Sequence, residues 1–241
     1  MIRYEIEGGH LPVVICYPEA GQTLCCEGGA MSWMSPNMQM ETTSGGGAKK
    51  VFSRLISGES LFMNEYTPRN GQGVIAFASK FPGSIIPYEV KPGQGIIVQK
   101  RGFLAMEKGL DVSIYFQQKV SRGLFGGEGF IMQRITGDGL VFLEIDGHCK
   151  EYELQANQSI VVDTGCLAAR SESCTMDVEM VSGAKNIFFG GEGLFHTRIT
   201  GPGRVYIQSM PIINIAERLA PYLQIHSDSN SSGGINIKLG D

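Results

Sequence analysis

Short runs of alternating apolar and polar residues follow one another along most of the chain, broken by glycine turns. Met38 and Met40 alternate with Gln39 and Glu41, and Met176, Val178 and Met180 with Asp177 and Glu179. A period of two marks a half-buried strand. Val112, Ile114 and Phe116 are expected to share one face for the same reason. Residues 85–90 and 95–99 read as short strands joined by Lys91-Pro92-Gly93, a turn with proline and glycine in compatible places. Residues 61–66 with 74–77, and 130–135 with 140–145, read as strand pairs around glycine turns. No helical spacing occurs before residue 211. Ile212, Ile215, Ala216 and Leu219 then fall at helical intervals and Pro221 stops the run, which predicts a short helix over 212–220. The helix is expected to pack on a strand or on a partner chain. Residues 227–234 read as a polar linker, and 235–239 as a short edge strand.

The strand pattern repeats. Gly-Gly-Glu-Gly-Phe at 126–130 recurs as Gly-Gly-Glu-Gly-Leu at 190–194 and, more loosely, as Ser-Gly-Glu-Ser-Leu at 57–61. Each copy leads into a strand, then a glycine turn: Asn70-Gly71-Gln72-Gly73, Thr136-Gly137-Asp138-Gly139 and Thr200-Gly201-Pro202-Gly203. Upstream lies a third anchor: Gly21-Gln22-Thr23, Gly93-Gln94-Gly95 and Asn157-Gln158-Ser159. Gly127 to Gly191 spans 64 residues, as does Gly93 to Asn157, whereas Gly58 to Gly127 spans 69. Three anchors in one order, three times, define copies at about 11–83, 84–147 and 148–210. The expectation is an all-β fold of sandwich or barrel type. Its three units pack into one compact body over 1–223 with pseudo-threefold symmetry, followed by a polar tail over 224–241.

Composition narrows the function classes. Charged residues make up 18% and hydrophobic ones 42%, which excludes disorder for the chain as a whole. A net charge of −4 argues against a phosphate-binding nucleic-acid partner. The N-terminus lacks the basic and apolar regions of a secretion signal, and no run approaches the roughly 20 apolar residues of a membrane span. The six cysteines have no Cys-x-x-Cys spacing, and several sit in apolar strands as small hydrophobes. A cytoplasmic, reduced protein is expected.

Glu59, Glu128 and Glu192 are the foremost ligand-binding candidates, because equivalent positions around a common axis can converge. Three close carboxylates bind a cation or raise one another's pKa; glutamates beside glycine also stabilise tight turns by accepting backbone N–H bonds. The methionines at 31–40 offer thioether ligands to a soft metal or fill a core. His10, His148, His196 and His226 show no paired spacing, so no zinc site and no metal is expected. Lys49, Lys50 and Arg54, with Phe52 and Leu55 interleaved, are candidates for contact with an anionic membrane surface or a partner. No dinucleotide fingerprint, phosphate loop or nucleophile elbow is present, so neither cofactor nor catalytic residue is assigned.

Trp33-Met-Ser-Pro-Asn followed by Met40-Glu-Thr, then Gly58-Glu-Ser-Leu-Phe and Gly190-Gly-Glu-Gly-Leu-Phe, resembles the family of altered inheritance of mitochondria protein twenty-four. The resemblance covers about residues 1–223. It implies three tandem units like the tryptophan RNA-binding attenuator protein (TRAP-like), a short variant of the double-stranded β-helix. It supplies no catalytic residues and licenses neither RNA nor tryptophan binding. The yeast relative is linked to organisation of inner-membrane complexes, but no mitochondrial presequence is recognised at this N-terminus. The expectation is a non-enzymatic interaction or scaffold protein forming a homo-oligomer, with a protein partner as a further option. The alternatives are a small-ligand or metal-binding protein or cryptic enzyme using a site among the repeats, and a protein of the membrane surface.

Overall fold

The computed structural model describes residues 1–43, 63–118, 129–180, 195–219, 222–226 and 236–239. After a leading strand β1 (Arg3–Glu7), six strands follow: β2 (Val13–Tyr17), β3 (Leu24–Glu27), β4 (Met31–Met34), β5 (Met38–Thr43), β6 (Met63–Pro68) and β7 (Ile75–Ala78). The next six are β8 (Gly83–Val90), β9 (Ile96–Gln99), β10 (Phe103–Glu107), β11 (Asp111–Gln118), β12 (Phe130–Thr136) and β13 (Gly139–Asp146). A third six are β14 (Cys149–Leu154), β15 (Ser159–Asp163), β16 (Leu167–Ser171), β17 (Thr175–Met180), β18 (Phe195–Thr200) and β19 (Gly203–Gln208). Helix α1 (Ile212–Leu219) and a hairpin of β20 (Leu223–His226) and β21 (Asn236–Leu239) close the described chain.

The ladders recur with the strands. β2, β8 and β14 pair antiparallel with β7, β13 and β19. Those three also take β4, β10 and β16, each ladder carrying a bulge at the same place: between Met31 and Trp33, Phe103 and Ala105, Leu167 and Ala169. β3, β9 and β15 pair with β6, β12 and β18, whose other neighbours are β5, β11 and β17. Each set of six strands is thus split between two sheets. Full sheets arise at the junctions, with orders β5-β6-β3-β10-β13-β8 and β11-β12-β9-β16-β19-β14. The ladders β3–β10 and β9–β16 join one set to the next. Two partial sheets remain at the ends, β1-β2-β7-β4 and β15-β18-β17.

This topology corrects the expected hairpins. β6 and β7 do not pair, nor do β12 and β13; the glycine turn between them carries the chain from one sheet to another. A glycine turn permits either route, and burying two faces at once selects the crossing. The run expected to put Val112, Ile114 and Phe116 on one face is interrupted as well. A bulge between Ile114 and Phe116 sets Val112 opposite Ile135 but Phe116 opposite Met132. Val112 and Ile135 belong to one buried cluster, whereas Phe116 packs against another around Phe130 and Met132.

Three buried clusters fill the interior. Phe142 is fully buried at the junction of the first two strand sets, where its ring meets Tyr4 edge-on at 5.1 Å between centroids. The cysteines form no disulfide among the described residues: Cys16, Cys25, Cys26 and Cys174 are buried, Cys149 and Cys166 half-buried, and burial pushes the thiols of Cys16 and Cys26 up to about 12. Helix α1 spans the expected stretch, and its Ile212 and Leu219 are exposed. The only α-helix among the described residues, it is far too short to cross a membrane.

Candidate functional site

The sequence-chosen residues Glu59, Glu128, Glu192, Lys49, Lys50 and Arg54 all lie outside the described residues. Their segments link equivalent pairs of neighbouring antiparallel strands, whose outermost described pairs are Thr43 with Met63, Gln118 with Phe130 and Met180 with Phe195. The methionines at 31–40 are divided between the interior and the surface. Met38 is buried, Met31 packs against the core, and Met34 and Met40 are exposed. Among the described residues no group of three His, Cys, Asp or Glu side chains can hold a metal.

Two other features stand out. The first is a charged cleft of about 190 Å³ at the junction of the first two strand sets, beside α1. Glu27, Lys80, Arg101, Glu144 and Asp146 line it. The Glu144 carboxylate accepts hydrogen bonds from Ser79 Oγ (2.7 Å) and the Lys80 backbone N–H (2.6 Å). Asp146 accepts from the Ile212 N–H at 2.8 Å, which ties the start of α1 to β13. Burial raises the Asp146 pKa above the usual carboxylate range, and this hydrogen bond opposes the shift. The cleft offers charges of both signs to a small polar ligand.

The second is the pair of end strands, β4 and β15. Trp33 is 48% exposed and Met34 37%. Their counterparts after the same bulge, Ala105 and Met106 in β10 and Ala169 and Arg170 in β16, are buried because β3 and β9 cover them. On the opposite end Val161 is 48% exposed. Its counterparts Cys25 and Ile97 are buried beneath β10 and β16. Sequence reasoning missed these residues, yet a signal was present: the only tryptophan stands where the other two sets have alanine. Arg170 illustrates how tightly the internal joints close. Its side chain is fully buried, Nη1 donates to the carbonyls of Ser171 and Cys174, and the guanidinium lies 4.9 Å from the Tyr115 ring centroid. Its Nε and Nη2 have no hydrogen-bond partner among the described residues.

Fold and site together define an all-β protein built of serially joined strand sets, with apolar strand edges at both ends. The chain belongs to the mitochondrial biogenesis AIM24 family, whose sequence model matches residues 4–210. It is also similar to a crystallographically solved protein from Streptococcus pyogenes, at 25% identity and a TM-score of 0.76, over 92% of this chain and 100% of that one. No curated protein matches.

Proposed function

We propose that the protein is a non-enzymatic interaction scaffold that works as a homo-oligomer. The observation that carries this reading is the exposure of Trp33, Met34 and Val161 on strands whose internal counterparts are buried in strand-to-strand joints. Two further features support a non-enzymatic role. Buried thiols held well above neutral pH make poor nucleophiles, and His10, His148 and His196 are dispersed along the described chain. Six cysteines without a disulfide among the described residues suit a cytoplasmic, reducing setting, and the acidic net charge gives no footprint for nucleic acid.

Native mass spectrometry and light scattering across a dilution series test this reading. A defined oligomer is expected, and a monomer at every concentration in the micromolar range would overturn it. The charged cleft favours a second reading, a small polar ligand held between Arg101 and the facing carboxylates. A reproducible non-covalent adduct in the same spectra, lost in Arg101→Ala, would support that reading. Attachment to an anionic membrane through Lys49, Lys50 and Arg54 is the third, tested by co-sedimentation with anionic vesicles.

A further inference from the structure

The two partial sheets at the ends of the chain are complementary halves of the sheets at its junctions. Each junction sheet has an outer half ordered β5-β6-β3 or β11-β12-β9, continued by an inner half β10-β13-β8 or β16-β19-β14. By ladder equivalence, β17-β18-β15 is an outer half without a continuation, and β4-β7-β2 is an inner half without a start. Among the described strands β4 pairs only with β7, and β15 only with β18.

The two internal joints share one register. Ala105, Met106 and Glu107 lie opposite Cys26, Cys25 and Leu24. Ala169, Arg170 and Ser171 lie opposite Val98, Ile97 and Ile96. Trp33 matches Ala105 and Ala169, because each follows the same bulge and faces the same position of the neighbouring strand. Ile160 matches Leu24 and Ile96, since these face Ile199, Tyr66 and Ile135 at one level of their ladders. Resting on the self-association proposed above, we propose that β4 of one copy pairs antiparallel with β15 of the next. The register is Trp33 opposite Val162, Met34 opposite Val161 and Ser35 opposite Ile160. The joined sheet then has the order β17-β18-β15 from one copy and β4-β7-β2-β1 from the other.

The chemistry of the edges fits this occupant. Natural edge strands that avoid pairing carry lysine, proline or inward charges. Met31-Ser32-Trp33-Met34 has none of these, and Ser159-Ile160-Val161-Val162 precedes a single aspartate at the strand end. Each edge presents apolar side chains to the other, as the internal joints do. The two edges differ, so the contact is head-to-tail, and head-to-tail contacts build closed rings or open filaments.

The test is a disulfide scan on the full chain. Residues directly opposite in an antiparallel ladder lie roughly 4.5–5.5 Å apart at Cα, within disulfide range. The double variant Met34→Cys/Val161→Cys is expected to form intermolecular disulfides under mild oxidation that link every copy of the oligomer. The off-register pair Ser32→Cys/Val161→Cys and both single variants are expected to lack them. Both target side chains are exposed in the single chain, so folding should survive; an equimolar mixture of the two single variants offers a second route, giving only linked pairs. An oligomer that never links Met34→Cys to Val161→Cys overturns this register while leaving self-association standing. A chain that stays monomeric overturns both. A disulfide formed within one chain overturns the head-to-tail joint, since the ends would then close on each other.

Discussion

Trp33 is the residue on which the proposed assembly turns, and its contribution can be worked out. About half of its surface is exposed at the β4 edge. A tryptophan side chain presents roughly 250 Å², so about 120 Å² is available to a pairing strand. At ~25 cal/mol per Å² this burial is worth about 3 kcal/mol, equivalent to roughly 100-fold in dissociation constant. Trp33→Ala is therefore expected to weaken the oligomer by roughly two orders of magnitude in sedimentation velocity runs over a dilution series. The other half of the indole packs within the chain, so the variant also loses stability; chemical denaturation of the dissociated form reads that loss separately. Because the chain has one tryptophan, wild-type fluorescence offers an independent check. Emission should shift to the red on dilution as the indole regains water. Val161→Glu, placed on the opposite edge, should hold it at the red position at every concentration without touching the surroundings of Trp33 in its own chain. A dissociation constant within threefold of wild type for Trp33→Ala would refute the reasoning.

Three further predictions concern the fold. Phe142→Ala removes a fully buried ring from the first junction and should cost about 3–5 kcal/mol in urea unfolding; a loss below ~1.5 kcal/mol would show that the site collapses to fill the cavity. Arg170→Met installs the residue found at the matching position of the previous set, Met106. It removes three N–H bonds, on Nε and Nη2, that have no hydrogen-bond partner among the described residues and the cost of burying a charge, while freeing two carbonyls, so stability should stay within about 1 kcal/mol of wild type or rise. A loss above ~3 kcal/mol would mean that the charge itself is required. Alkaline stability follows from the buried thiols. Cys16 and Cys26 are raised from 9.0 to about 12 by burial, so the unfolded chain releases these protons at lower pH than the folded one. Their contribution is complete below about pH 9 and declines as pH rises towards 12, by up to about 4 kcal/mol per thiol. Denaturation midpoints taken up the pH scale should fall over that window, and Cys16→Ala should flatten the fall; identical slopes would sink the argument.

Much of the architecture was legible in the chain itself. Alternation with a period of two marked the strands, glycine anchors marked where the pattern restarts, and the spacing of Ile212, Ile215 and Leu219 marked α1. These are local signals, because a strand's exposed and buried faces are written in neighbouring residues. The motifs around Trp33, Gly58 and Gly190 carried the family. Partner choice was not legible, because a strand's hydrogen-bonding edges look alike whatever lies beside them. Thus β12 and β13, consecutive and both apolar, entered different sheets, and the bulge at Tyr115 moved Phe116 to the other face. The edges at β4 and β15 were decided at the largest scale of all. β10 and β16 are covered by β3 and β9 of the preceding strand set, whereas among the described strands β4 pairs only with β7 and β15 only with β18. Only the tertiary arrangement turns Trp33 and Val161 from ordinary strand residues into the two halves of one missing ladder.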